Sequence, residues 1–598
     1  MKNIPFDRIE LLGGYLFDKQ ELNRKTTIHA VYERFLETGR FAAFDFAWKA
    51  GEPLRPHWFW DSDVAKWLES AAYILKKHQA PDLEKIVDDT VKKIKAHQLP
   101  DGYFNIYHTV VEPEMRWKDR TRHELYCAGH LMEAAVAYAE ATGKTDFLAC
   151  MEKYADHIQK VFVEEKSAGF ATPGHEEIEL ALVKMYRYTG KKKYLDLAAY
   201  FINTRGTAAD GKHSSYAQAH LPVREQTVAA GHAVRALYLY TGMAYLAAET
   251  GDTALQNACR TLFEDITARQ MYVTGATGST HRGEAFTSAF DLPNDSAYAE
   301  SCASIALMLF GNAMLALENN AKYADAVERA LYNGVLSALS LDGKSFFYEN
   351  PLEINLSERF DPPFSKPHYA ITQRVECFDC SCCPPNITRL LATLGNYVYG
   401  VDGDTLFVNQ FLSSTLDFEG ISCTQKTNYP HNGCVKLSVS GAKRVALRIP
   451  AWCDSFTLNK PYVMQNGYAI AENDGLEEII LGLDVSPRLV FADPRVLRDV
   501  GRACVMRGPV VYCAEGVDNG KYLHSFLLPT APVFEECDGA FGLPSLKIPC
   551  QRRVAFADGE LYRNRPATLE DTTLTLIPYN AFANRGESDM LVWLHVKE

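Results

Sequence analysis

The chain has 598 residues, of which 47% are hydrophobic, 23% charged and 12% aromatic, with a formal charge of −13. This is the composition of an ordinary globular protein, too long for a single hydrophobic core, so two or three domains are expected. The acidic balance without a clustered basic face excludes a nucleic-acid partner, and the absence of an apolar run of about 18 residues excludes a spanning helix.

The opening stretch, MKNIPFDRIELLGGYLF, lacks the unbroken apolar core of an export leader. The reading is therefore cytoplasmic, with the fifteen cysteines reduced and free to bind metal. From about Asp61 to Tyr399 the pattern is helical. His130 to Thr142 carries Ala, Leu and Tyr at three- and four-residue spacing, Ile178, Leu182 and Met185 form an i, i+4, i+7 stripe, and Ala233 to Thr250 is apolar on most sides, as a helix buried on more than one face is.

Similar phrases close several of these helices, with glycines at Gly143, Gly190 and Gly251, each suited to a left-handed C-cap before a turn into a partner helix. A fourth copy places Asn319-Asn320 at the same point, and asparagine is the next best residue for that conformation. Repeated helical hairpins, about six before residue 400, predict an (α/α)6 barrel with its loops gathered at one end. His123, His175 and His232 each stand at the start of a helical segment among small or polar neighbours. A barrel brings all three to one rim, where they suit the hydroxyls of a sugar. Trp58, Trp60, Tyr126 and Tyr348 are aromatic residues that can pack on a sugar face or in the core.

Farther along come Gly283-Glu284, a loop acid, and Tyr298-Ala-Glu300-Ser-Cys302 at the head of the next helix. Glu300 and Cys302 can share one ion if they lie at a non-helical start, or can be a capping acid and a small buried thiol. The densest cluster is Cys377-Phe-Asp-Cys380-Ser-Cys382-Cys383-Pro. It reads as a metal site rather than a disulfide, because adjacent cysteines rarely bridge and zinc prefers thiolates. It is too compact for two zinc knuckles, so further ligands are expected from elsewhere, unless all four cysteines form a structural knot. After Asp402 the rhythm becomes alternating, with Asn432-Gly433 and Asn466-Gly467 as turn signals, predicting one or two β-sandwiches. The expected division is residues 1–400 as the catalytic barrel and 401–598 as β-sandwich.

Taken together, Arg269 to Thr280, GEAFTSAFDLPNDSAYAESCAS, CSCCPPNITR and MRGPVVYCAE resemble glycoside hydrolase family 127, closest to its bacterial β-L-arabinofuranosidases, in order along nearly the whole chain. The resemblance implies an (α/α)6 barrel followed by β-sandwiches. It also implies a Zn2+ ion held by Glu300, Cys302, Cys382 and Cys383, with Cys382 as nucleophile, Glu284 as general acid/base, and His123, His175, His232 and Tyr348 as sugar-binding residues. It gives Cys380 a place near the metal without making it a ligand. A retaining hydrolase of this kind sets nucleophile and acid roughly 5–5.5 Å apart. The implied substrate is a small oligosaccharide or other arabinofuranosyl glycoside, and the implied assembly a homodimer. Glu284 is expected to need a raised pKa from burial near other anions. Three rivals stand beside this reading: a relative acting on a different unusual sugar, a non-catalytic sugar-binding protein with a structural zinc, and an (α/α)6 lyase or epimerase.

Overall fold

The computed structural model describes every residue except 212, 360–367, 476, 540, 558 and 598. Among the described residues, twelve helices form two concentric rings. The inner ring is α2 (Trp60–Lys77), α4 (Glu124–Thr142), α6 (Ile178–Thr189), α8 (Ala233–Thr250), α10 (Ser301–Leu317) and α12 (Cys383–Ala392). Each packs on the next, and α12 returns to α2, closing the toroid. The outer ring is α1 (Ile28–Glu37), α3 (Pro81–His97), α5 (Asp146–Gln159), α7 (Lys192–Thr204), α9 (Thr253–Asp265) and α11 (Ala321–Arg329).

The sequence accounts for this alternation. Inner helices are apolar nearly all round: α4, α8 and α10 bury residues on every face. Outer helices such as α5 bury one stripe, including Phe147, Met151, Tyr154 and Ile158, and leave a charged face to water. The hairpin glycines behave as expected. Gly143, Gly190 and Gly251 all sit at left-handed C-caps, with φ of 72°, 69° and 69°, where a side chain would be strained. The asparagine pair does not. Helix α10 ends in extended backbone at Glu318, and Asn320 instead caps the start of α11, its side chain accepting from the Lys322 N–H. An Asn acceptor satisfies an orphan N–H of the next helix, which glycine cannot do, and here that use wins.

Two six-stranded sheets follow the barrel, and one edge strand of each comes from the amino terminus. β1 (Lys2–Asn3) pairs with Tyr399–Asp402, and β2 (Ile9–Gly13) pairs with Ser413–Phe418. Asn466-Gly467 makes the tight turn its composition predicts, both residues at positive φ between paired Gln465 and Tyr468. A ten-stranded sheet occupies the carboxyl-terminal part and recruits Glu353–Ile354 from between barrel helices. No helix among the described residues is long and apolar enough to cross a membrane.

A buried ionic knot joins barrel to sheet. Arg448 reaches Glu328 at 2.6 Å and Asp325 at 2.7 Å on α11, and Glu328 also accepts from Tyr429 and Trp452. Removing one member of such a knot strands a charge out of water, at a cost of about 3–5 kcal/mol. Arg448→Met is accordingly expected to lower the thermal midpoint clearly in scanning fluorimetry. Lys460→Met, which loses the exposed pair with Glu477, is expected to leave it nearly unmoved.

Candidate active site

At the end of the barrel where the inner helices begin lies a cavity of about 350 Å³. His123 and His232 are the residues immediately before α4 and α8, and His175 stands three positions before α6. The three rings follow one another at 5.5 Å and 5.4 Å between centroids, so the repeat does bring them to one rim. His123 Nδ1 lies 2.7 Å from the Thr121 carbonyl and His175 Nδ1 3.1 Å from that of Glu176. A carbonyl can only accept, so Nδ1 carries the hydrogen in both rings and Nε2 is left as an acceptor. Burial, reinforced by the Arg235 guanidinium, holds all three imidazoles below their ordinary pKa, His123 down to about 3. They are neutral hydrogen-bonding groups.

Glu300 is the extended residue capping α10, and Cys302 lies in that helix's first turn. Cys382 caps α12 and Cys383 opens it. The two helix starts converge. Cys302 Sγ is 3.7 Å from Cys382 Sγ and 3.3 Å from Cys383 Sγ, the latter two are 3.8 Å apart, and Glu300 Oε1 is 3.6 Å and 3.7 Å from Cys382 and Cys383. A tetrahedral ion with Zn–S of about 2.3 Å and Zn–O of about 2.1 Å has edges of about 3.5–3.8 Å. The donor set fits zinc in type and in spacing. Its electrostatics ask for a cation as well. Burial pushes the Glu300 carboxyl well above its usual range, and Cys382 and Glu284 add to the effect; burial likewise raises Cys383. Cys302, raised by burial but hydrogen-bonded by the two neighbouring thiols, comes down to about 6.

The three sulfurs are not equivalent. Cys383 is fully buried behind the site; Cys302 and Cys382 both line the cavity, but Cys302 is only 3% exposed whereas Cys382 is partly exposed. The Cys382 thiol donates to the Tyr348 hydroxyl at 3.3 Å. Cys380 lies 3.8 Å from that same hydroxyl, outside the four-donor group, and Cys377 turns away to Ser381. A second cluster, Glu69, His130 and Glu133, also has ligand-like spacing. Arg389 sits 2.7 Å from Glu69 and 2.9 Å from Glu133, and Lys184 bonds Glu133 as well. These carboxylates are already neutralised, so the cluster is an ion-pair network of the barrel axis.

Glu284, at φ 55° in the loop that bridges back to His232, lines the same cavity. Its carboxylate lies 2.6 Å from His232 Nε2 and accepts from the Tyr298 hydroxyl at 2.9 Å. Glu300 stands within 4.8 Å of it. Burial raises this carboxyl, but the His232 contact, Tyr298 and Arg235 outweigh it, and the group ends below its ordinary value. The expectation of a raised pKa is therefore corrected: the neighbours that decide it are donors and a cation, not anions. Tyr298 and Arg235 are neighbours of Glu284 that the sequence does not single out. Arg235 follows His232 by three residues on the same helix face, a spacing that could have pointed to it. Among the aromatic candidates, Trp58, Tyr126 and Tyr348 line the cavity, while Trp60 is buried beneath Arg40.

The model of the β-L-arabinofuranosidase GH127 catalytic domain matches residues 8–396, that of the GH127 middle domain 405–474, and that of the family 127 carboxyl-terminal domain 487–595. The chain belongs to glycoside hydrolase family 127. It is an enzyme of glycoside hydrolysis, with the barrel and β-rich domains of that family. A non-reducing end β-L-arabinofuranosidase of Bifidobacterium longum subsp. longum is 40% identical over 588 residues, 90% of this chain and 89% of that protein. The crystal structure of a GH127 β-L-arabinofuranosidase from Geobacillus stearothermophilus T6 superposes with a TM-score of 0.92 at 41% identity, covering 98% of this chain and 100% of that one. A second GH127 β-arabinofuranosidase structure gives 0.91 at 35% identity, over 100% and 98%.

In this family 127 chain the β-rich domains also brace the site. Phe347, beside Tyr348, and Ala299, beside Glu300, are packed in a second core with Phe582, Val592 and Trp593 from the carboxyl-terminal domain. Arg374 ties the cysteine-bearing segment to the Phe582 carbonyl at 2.7 Å. The residues of the pocket are thus held from two domains at once.

Proposed function

We propose that this protein is a retaining exo-glycosidase that releases terminal β-L-arabinofuranose from small oligosaccharides, with Cys382 as nucleophile and Glu284 as general acid/base. One observation carries this reading: the only donor-group sulfur that is partly exposed belongs to Cys382, which lines the cavity that also holds Glu284. A structural knot has no use for a ligand sulfur turned toward a cavity. The glycone follows from the names of the relatives, and the modest cavity volume suits one terminal ring with its leaving group toward the mouth. The fifteen free thiols fit a reducing cytoplasm.

Neutral His123 and His175 hold ring hydroxyls through Nε2, and Tyr348 holds the Cys382 sulfur in line with the anomeric carbon. The Cys382 thiolate forms a C–S bond to that carbon as the glycosidic C–O bond breaks, and protonated Glu284 gives its proton to the departing oxygen. Ionised Glu284 then takes a proton from water, whose oxygen bonds to the same carbon while the C–S bond breaks. Glu300, Cys302, Cys382 and Cys383 would hold a zinc ion, which would supply the positive charge that keeps the sulfur ionised, where a free thiol near pKa about 8.5 is mostly protonated.

The test is release of L-arabinose from a β-L-arabinofuranosyl disaccharide, with the first-formed anomer followed by NMR; an inverted product or no release overturns the reading. About one zinc per chain is expected in the purified protein, lost in Cys302→Ala and Cys383→Ala and kept in Cys380→Ala. Metal loss in the last variant would refute this ligand set.

The depressed carboxyl of Glu284 sets a pH dependence. The first step needs its protonated form, so kcat/KM falls as pH rises through its pKa. His232→Ala removes the contact that lowers that pKa, so the falling limb is expected to move to higher pH. A limb that stays in place in a still-active variant removes His232 from that part of the mechanism.

A further inference from the structure

Tyr216 combines two properties: the residue is 40% exposed, and its backbone is clamped from several directions. Its carbonyl accepts from the His232 N–H and from Gln218 Nε2, both at 3.2 Å. Gly231 passes so close that a Cβ there would stand 2.7 Å from the Tyr216 Cα. The Arg235 guanidinium lies over the ring at 4.6 Å from its centroid, and is itself anchored on the Gly174 carbonyl at 2.6 Å. The ring edge rests against Gly283, where a Cβ would come within 3.2 Å of Cε2. The part of the ring that Arg235 and Gly283 leave uncovered forgoes apolar burial, and held rigid at this place it is poised to cover a ligand.

Its place relative to the chemistry is specific. Tyr216 lines the cavity together with Gly283 and Glu284, and its ring centroid is 6.0 Å from that of His232, the partner of Glu284. The carboxyl of Glu284 must face the glycosidic oxygen, so the leaving group departs along this wall. The deeper residues His175, His232 and Glu300 are only 8%, 5% and 3% exposed, which sets Tyr216 at the mouth, one step outward from the terminal sugar.

We propose that Tyr216 is the platform of a leaving-group subsite, stacking its exposed ring surface on the apolar face of a second sugar ring. The inference rests on the arabinofuranosidase reading above and extends it from the terminal sugar to the ring that follows. Such a contact forms on binding and persists to the transition state, so its loss appears mainly in KM.

Kinetics of Tyr216→Ala and Tyr216→Trp on a β-L-arabinofuranosyl disaccharide and on methyl β-L-arabinofuranoside test it. The ratio of kcat/KM on the disaccharide to that on the methyl glycoside is expected to fall roughly tenfold or more in Tyr216→Ala, chiefly through KM, and to return in Tyr216→Trp. An unaltered ratio, whether both substrates suffer equally or neither does, overturns the proposal while leaving the glycone assignment standing. A wild-type enzyme that hydrolyses neither glycoside overturns that assignment, and this subsite with it.

Discussion

Cys382→Ala is expected to lose at least about 10³-fold in kcat on an arabinofuranosyl disaccharide, even with zinc in excess, because removing a covalent nucleophile costs this much or more in other hydrolases. Two consequences of the substitution must be separated: loss of the attacking atom and loss of one zinc donor. The neighbouring thiols make this possible. Cys383 offers the same donor atom from a fully buried position, so a Cys383→Ser variant reconstituted with zinc keeps a sulfur facing the cavity. It should retain measurable turnover where metal-loaded Cys382→Ala has none. Cys382→Ser turning over an activated aryl glycoside near the wild-type rate would end the nucleophile assignment.

Glu284→Gln is expected to lower kcat on the disaccharide by about 10²–10⁴-fold, the usual contribution of general acid/base groups. Its effect should depend on the leaving group. A dinitrophenyl arabinofuranoside departs without a proton, so its first step survives the substitution. The second step still lacks a base for water, and glycosylated enzyme accumulates. Intact mass spectrometry is expected to find a chain heavier by one anhydropentose, with the modification on the peptide carrying Cys382. An equal loss on both substrates with no accumulated adduct would deny Glu284 both parts of its role.

The amino-acid sequence foreshadows the site unevenly, for physical reasons. The histidine rim was legible because a repeating hairpin places equivalent positions at equivalent ends, and the C-cap glycines marked where each hairpin turns. The pairing of Glu300 and Cys302 with Cys382 and Cys383 depends on the starts of two neighbouring inner helices, some 80 residues apart in the chain, converging at the rim; spacing alone allows several sets, and resemblance named this one. The partners of Glu284 were out of reach. They depend on a loop held at positive φ and bridged to His232, a closure with no periodic signal. Asn320 shows the opposite limit: one residue type serves either end of a helix, and its hydrogen-bond capacity decided between them.

The pairing of β1 and β2 with strands near residues 400 and 415 bears on how the protein is made. Those first segments leave the ribosome with nothing to pair with until some 400 further residues have been synthesised, about 20–80 s at ordinary elongation rates. During that interval their backbone donors and acceptors are open to other chains. Nascent protein therefore passes through a long vulnerable window before these two strands find their places at the sheet edges.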